Sequence, residues 1–250
     1  DLGGITLKGA TDKTILWTNA TDSWDFNQAI KSSAAVCGTI GCSTTCVETP
    51  VVVSSNVGVG NTESGTNAFV AGISSQATAN CSTAVGFCTW ANGLRATAIG
   101  YMSCATGACS IVSGFCSHAT EGRTSAVGII SCATACYASA FGYGACATGA
   151  HSSAFGHLSC ATASKTLAMG RSSCATGGCA TASGYHAKAL GTSSTAVGRN
   201  TCATVAEASA FGYKSCAMGC QDLAVGWCAI TIPYAGATNQ CPEVNISIGF

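Results

Sequence analysis

The residues of this chain that could do chemistry are its cysteines, 19 of them in 250 residues. Cys104, Cys132, Cys146, Cys160, Cys174, Cys202 and Cys216 are separated by multiples of fourteen residues, and Cys132 to Cys174 occupy four successive units of that period. If the units stack at the strand spacing of about 4.8 Å, neighbouring members fall inside the Cα range that a disulfide accepts. Vertical staples such as Cys132–Cys146 or Cys160–Cys174 are then open. A second set, Cys109, Cys136, Cys179 and Cys220, lies just across a turn. It could close bridges within a unit, as Cys104–Cys109 or Cys174–Cys179, or bridges between chains. The connectivity is open at this point, and each cysteine has the alternative of a small thiol standing where other repeats carry Ala or Ser. The odd count leaves at least one cysteine outside any intrachain pairing. Cysteine at this density points to an oxidising compartment or an extracellular object.

Other chemistry is thin. His118 stands in the cysteine column between Cys104 and Cys132, and His151 and His157 are close enough in sequence to approach in one unit. Cys37, Cys42 and Cys46 cluster, but without a CxxC pair or a nearby histidine they do not read as a zinc site. There is no Gly-x-Ser-x-Gly elbow, phosphate loop or HExxH, and the ten acidic residues are scattered. The expectation is therefore no catalytic residue, no metal and no cofactor: the chain is not an enzyme.

What positions the cysteines is a ladder of glycines. Gly58, Gly72, Gly86, Gly100, Gly114, Gly128, Gly142, Gly156, Gly170, Gly184, Gly198, Gly212 and Gly226 recur at intervals of fourteen without insertion or deletion. Ala77 to Ala217 form a second column five residues on, and Thr78, Thr106, Thr120, Thr134, Thr148, Thr162, Thr176 and Thr204 a third beside it. A fixed short period is the signature of a solenoid whose repeats are stacked coils. The residue two before each glycine is usually Ala, and the immediate flanks are large, as in Val85 and Phe87 or Phe211 and Tyr213. Neighbours on a strand point to opposite faces, so one face is Ala and Gly and the other aliphatic and aromatic. Fourteen residues make two short strands and two turns, with room inside for Ala and Gly. In segments such as Ser103-Cys104-Ala105-Thr106-Gly107 the final glycine is expected to supply the positive φ of a tight turn.

The large side chains must then look outward, and Phe87, Tyr101, Phe141, Tyr143, Phe155, Phe211, Tyr213 and Trp227 become candidates for a seam between subunits. An apolar stripe along a rod exceeds what a monomer tolerates, and the economical partner is another copy in register. Arg171, Arg199 and His157 share the flanking column and mark the edge of that seam. A wide coil with the large residues inside is the alternative.

The repeat resembles the head repeats of trimeric autotransporter adhesins of the Yersinia type, with a pattern near Ser-Val-Ala-Ile-Gly followed by Ala-x-Ala-x-Gly. The resemblance covers residues 57–228. It implies an all-β fold, a left-handed parallel β-roll with three chains side by side, in a surface appendage. Handedness and the number three come from the resemblance. The same repeat occurs in phage and large-virus fibres, which the N-terminal segment Gly4-Ile5-Thr6-Leu7-Lys8-Gly9 also resembles. The cysteine column is this chain's departure from that pattern.

The rest of the chain divides around the array. Residues 1–35 read as short strands in a cap or assembly segment, with Trp17 and Trp24 as anchors; 36–56 as a cysteine-rich connector; 57–228 as the array; 229–250 as a terminal cap ending in a strand. The chain begins without methionine, which reads as a processed product or a fragment. Asn19, Asn80 and Asn245 fit the glycosylation sequon. Charged residues are 8% and the net charge is zero, so no electrostatic footprint for nucleic acid or anionic membrane is expected, and no apolar run reaches the length of a membrane span. Three functions follow. A disulfide-reinforced structural subunit of an extracellular or virion fibre is the main reading. An adhesin or receptor-binding head, meeting a cell-surface glycan or receptor, is its alternative. An ice-binding face built on the threonine column is the third, with thermal hysteresis as its test.

Overall fold

Alternation of Ala with larger residues, punctuated by glycine every fourteen, leaves the chain one economical way to bury its small side chains. A computed structural model describes residues 4–7, 13–18, 23–26, 55–232 and 244–249. The chain forms two units, 1–51 and 52–250. In the first, β1 (Gly4–Leu7), β2 (Lys13–Thr18) and β3 (Ser23–Phe26) make an antiparallel meander in which Trp17 is opposite Trp24. The cysteines of the connector, Asn19 and residues 233–243 lie outside the described residues.

The second unit is a parallel β-solenoid of fourteen-residue coils. Each coil gives one longer strand, as Thr83–Phe87, and one two-residue strand, as Trp90–Ala91. The longer strands form one fourteen-stranded sheet and the short ones a thirteen-stranded sheet facing it. Register is direct: Gly86 pairs with Gly100, Gly100 with Gly114, and Gly114 with Gly128. After Trp227 the ladder is rejoined by Ile246–Gly249, whose Gly249 pairs with Gly226. Asp222 fixes that junction. Its fully buried carboxylate accepts the Asn245 amide at 3.0 Å and the Gly219 amide at 2.9 Å.

The core holds side chains no larger than a coil this flat admits. Among the described residues every buried hydrophobic side chain is Ala except Val70 and Val112. Gly and Ala are not the whole interior, however. Ser103 and Ser117 are fully buried, and their hydroxyls donate to the ladder carbonyls of Gly114 at 2.8 Å and Gly128 at 3.0 Å. A hydroxyl fits where a methyl does and satisfies a carbonyl that would otherwise be spare.

The turns correct a second expectation. Positive φ falls on the ladder glycines, at 112° to 140°, and not on Gly107, Gly149 or Gly177. Two further left-handed positions per coil are held by ordinary residues, among them Cys109, Arg123, Ile130 and Tyr137. The coil below enforces that conformation: the Cys109 amide donates to Leu94 O at 2.7 Å and the Ile130 amide to Phe115 O at 2.8 Å. A left-handed residue that is not glycine costs about 1–2 kcal/mol, and a β-branched one is the worst placed. Ile130 has φ 56° and is 51% exposed, so little packing offsets the strain. Ile130→Asn is expected to raise stability by about 1 kcal/mol, seen as a higher urea midpoint. A lower midpoint would mean that contacts of the Ile130 side chain outweigh the backbone cost.

Candidate binding faces of the array

Among the described residues, inward Ala and Gly leave the large apolar side chains on an outer face, Val70 and Val112 excepted. On the long-strand sheet the column before the ladder glycine is apolar through Val85, Ile99, Val127, Phe141, Phe155, Met169, Val197, Phe211 and Val225, interrupted by Ser113 and Ser183. Direct register stacks like on like, with the Phe141 and Phe155 rings 5.3 Å apart. The column after the glycine begins in the same way. Phe87, Tyr101 and Phe115 stack at 5.0 Å, and Phe87 is 40% exposed. All eight seam candidates face outward, and the register adds Phe115, Ile129 and Met169 to them. The signal that finds these three is the fourteen-residue spacing itself, read down the column.

Further along, the second column changes character. His157 stacks on Tyr143 at 5.0 Å, Arg171 and Arg199 lie over Tyr185 at 5.5 and 5.6 Å, and Arg199 also lies over Tyr213 at 5.4 Å. His151 belongs to a different column and stacks on Tyr137, so the two imidazoles serve opposite turns of the coil.

On the short-strand sheet the outward column is the cysteine column. Cys104, His118 and Cys132 are neighbours in register, and Cys132, Cys146, Cys160 and Cys174 follow one another. Among the described residues no group of three metal-ligating side chains converges. Cys104, Cys109, Cys132, Cys136, Cys146, Cys160, Cys174, Cys179, Cys202 and Cys216 stand as thiols, as do Cys81, Cys88, Cys116 and Cys228, while Cys220 is held in a disulfide. The Thr column is interrupted and mixed in exposure, Thr106 exposed and Thr134 half-buried. Asn80 is exposed, and its side-chain carbonyl accepts the Thr66 amide at 3.0 Å; Asn245 is half-buried beside the last strand.

Residues 64–87, 90–115, 133–159 and 175–201 match the family model of the YadA head domain repeat. Over these stretches the array is similar to YadA-type head repeats. That match backs an adhesin-type head better than the structural fibre subunit that composition favours. No curated protein matches the chain.

In this YadA-type array the stacked thiols are not equivalent. The neighbouring Cys160 thiol holds the Cys146 thiol down at about 6 against the opposing effect of burial. Cys160, half-buried beside Cys146, is raised, and burial also raises Cys104. A thiolate is the reactive form, so a lowered pKa means reaction at lower pH. Cys146 is expected to be alkylated by iodoacetamide at pH 7 while Cys104 is spared. Cys160→Ala should move the Cys146 rate profile to higher pH. Peptide mass spectrometry across a pH series reads both, and an unmoved profile would remove the pair's coupling.

Proposed function

We propose that the array is the head of a surface adhesin that works as a bundle of identical chains, a homotrimer by its resemblance, and that its role is binding, not catalysis. One observation supports this most: an apolar column runs along the outer face of the long-strand sheet, with no partner among the described residues. The described residues leave that column in water, where such a patch marks an interaction surface. A second copy brought alongside in register covers it without any new motif. The matched repeats and the cysteine content agree with a place outside the cell.

Light scattering of the full chain after size exclusion tests the assembly. Three times the chain mass is expected, and a monomer at micromolar concentration would overturn it. Adsorption to host cells that is lost when residues 57–228 are deleted tests the adhesin role. Filaments that form without any cell adsorption would return the chain to the fibre reading.

A further inference from the structure

Charge along the array is segregated. Between residues 57 and 142 the chain carries Glu63, Arg95, Glu121 and Arg123, a balanced set. Between 165 and 214 it carries Lys165, Arg171, Lys188, Arg199 and Lys214 against Glu207 alone. Lys165 and Glu207 hold left-handed positions on the same turn of the coil, and Glu207 there accepts a bond from Gln221 at 2.7 Å. The other turn, which joins the long strand to the short one, carries Arg171, Arg199 and Lys214, and Lys188 opens the short strand that follows it, with no acidic residue in these columns. Among the described residues no carboxylate pairs with any of the four.

A cleft of about 420 Å³ opens at this turn, lined by His186, Lys188, Asn200, Thr201 and Cys202. Thr201 and Ser215, one coil apart in the interior column, are both buried with hydroxyls that have no hydrogen-bond partner, so the cations, and not the Thr201 hydroxyl, mark this turn.

We propose that this turn binds a linear sulfated polysaccharide, laid along the coils from Arg171 to Lys214 with one anionic group seated at Lys188 and Asn200. The proposal rests on the adhesin reading and names the class of its ligand. Coils rise by about 4.8 Å, so the cations form a rack at one- and two-coil intervals that suits a polymer with regularly spaced anions. Guanidinium forks match oxyanions in shape, and no buried carboxylate competes for them. Single-stranded nucleic acid fits less well. It needs open aromatic faces for its bases, whereas both Arg171 and Arg199 lie over Tyr185, and Tyr213 is covered by Arg199, Lys214 and Trp227.

Calorimetry of the full chain with heparin as the probe tests this. Heparin should bind, desulfated heparin should not, and affinity should fall as salt rises. Arg171→Ser with Arg199→Ser should weaken binding about tenfold for each guanidinium removed, while Arg123→Ser, on the opposite turn, leaves it unchanged. The proposal is overturned if the double arginine variant binds heparin as the parent does, if desulfated heparin binds equally, or if single-stranded DNA binds more tightly. Light scattering on the same samples separates the two readings: an oligomer that ignores heparin sinks only the glycan, and a heparin-binding monomer sinks only the assembly.

Discussion

Gly114→Ala is expected to break the array in its middle, whereas Gly178→Ala leaves stability unchanged or slightly raised. At Gly114 φ is 140°, and an added Cβ would lie 1.7 Å from the Gly128 carbonyl oxygen. Either fact is enough to penalise a side chain. Neither is relieved by a local shift, because Gly100, Gly114 and Gly128 are tied in register above and below. Backbone forced into that region costs about 1–3 kcal/mol, and opening a rung to clear the carbonyl adds about 1 kcal/mol for each hydrogen bond lost. The total is on the order of 4 kcal/mol, at the exceptional end of single substitutions. Coils contact only their neighbours, so a mid-array defect uncouples two shorter stacks and does not spread evenly. A urea titration followed by circular dichroism should show a lowered and broadened transition, with new proteolysis near residue 114. Gly178 has no atom within 4 Å of an added Cβ and no positive φ, so alanine there only restricts the unfolded chain. Equal behaviour of the two variants would mean that the ladder is not sterically required.

That contrast also marks how much of the molecule was readable beforehand. Gly114 announces itself because clearance and positive φ leave one residue type, and repetition every fourteen residues multiplies the signal. Ala98, Ala105 and Ala126 were readable as core for a related reason: a coil this flat accepts a methyl, and alternation fixes which face it enters. The buried hydroxyls were not readable. Ser103 and Ser117 look like turn residues in sequence, and only the stacked carbonyls of Gly114 and Gly128 explain why they point inward. The left-handed turn positions were hidden more thoroughly. Cys109, Arg123 and Ile130 share no side-chain preference, because the conformation is imposed by an amide bonded to the coil below. The cleft at Lys188 was illegible in a linear reading for a similar reason. Lys188 belongs to the cysteine column, Asn200 to a left-handed column and Thr201 to the interior, and only vertical stacking brings the three to one place.

The second large effect should appear on the opposite side of this logic, where a side chain leaves the coil alone but holds the assembly. Phe141→Asp with Phe155→Asp is expected to dissociate the oligomer without unfolding the chain. Both rings sit on the outer face, stacked at 5.3 Å, and Phe155 is 38% exposed in the single chain. Their removal leaves the inward Ala140 and Ala154, each fully buried, untouched, so the β-sheet spectrum should persist. In a seam, each buried Phe contributes about 1.5–3 kcal/mol, and a carboxylate in its place adds a desolvation cost. Two per chain amount to roughly 4 kcal/mol, or about a thousand-fold in the equilibrium for each chain lost. Sedimentation of the double variant should therefore give the monomer at concentrations where the parent is fully assembled. Thr106→Asp, which adds the same charge to an exposed turn, should leave the parent mass intact. The two sheets offer three outward tracks: the apolar one through Phe141, the one after the ladder glycine through Tyr101 and Phe115, and the thiol one through Cys146. An oligomer that keeps its mass in the double variant would thus move the seam off this column, to the track through Tyr101 and Phe115 or to the cysteine face, and Tyr101→Asp with Phe115→Asp would tell the two apart.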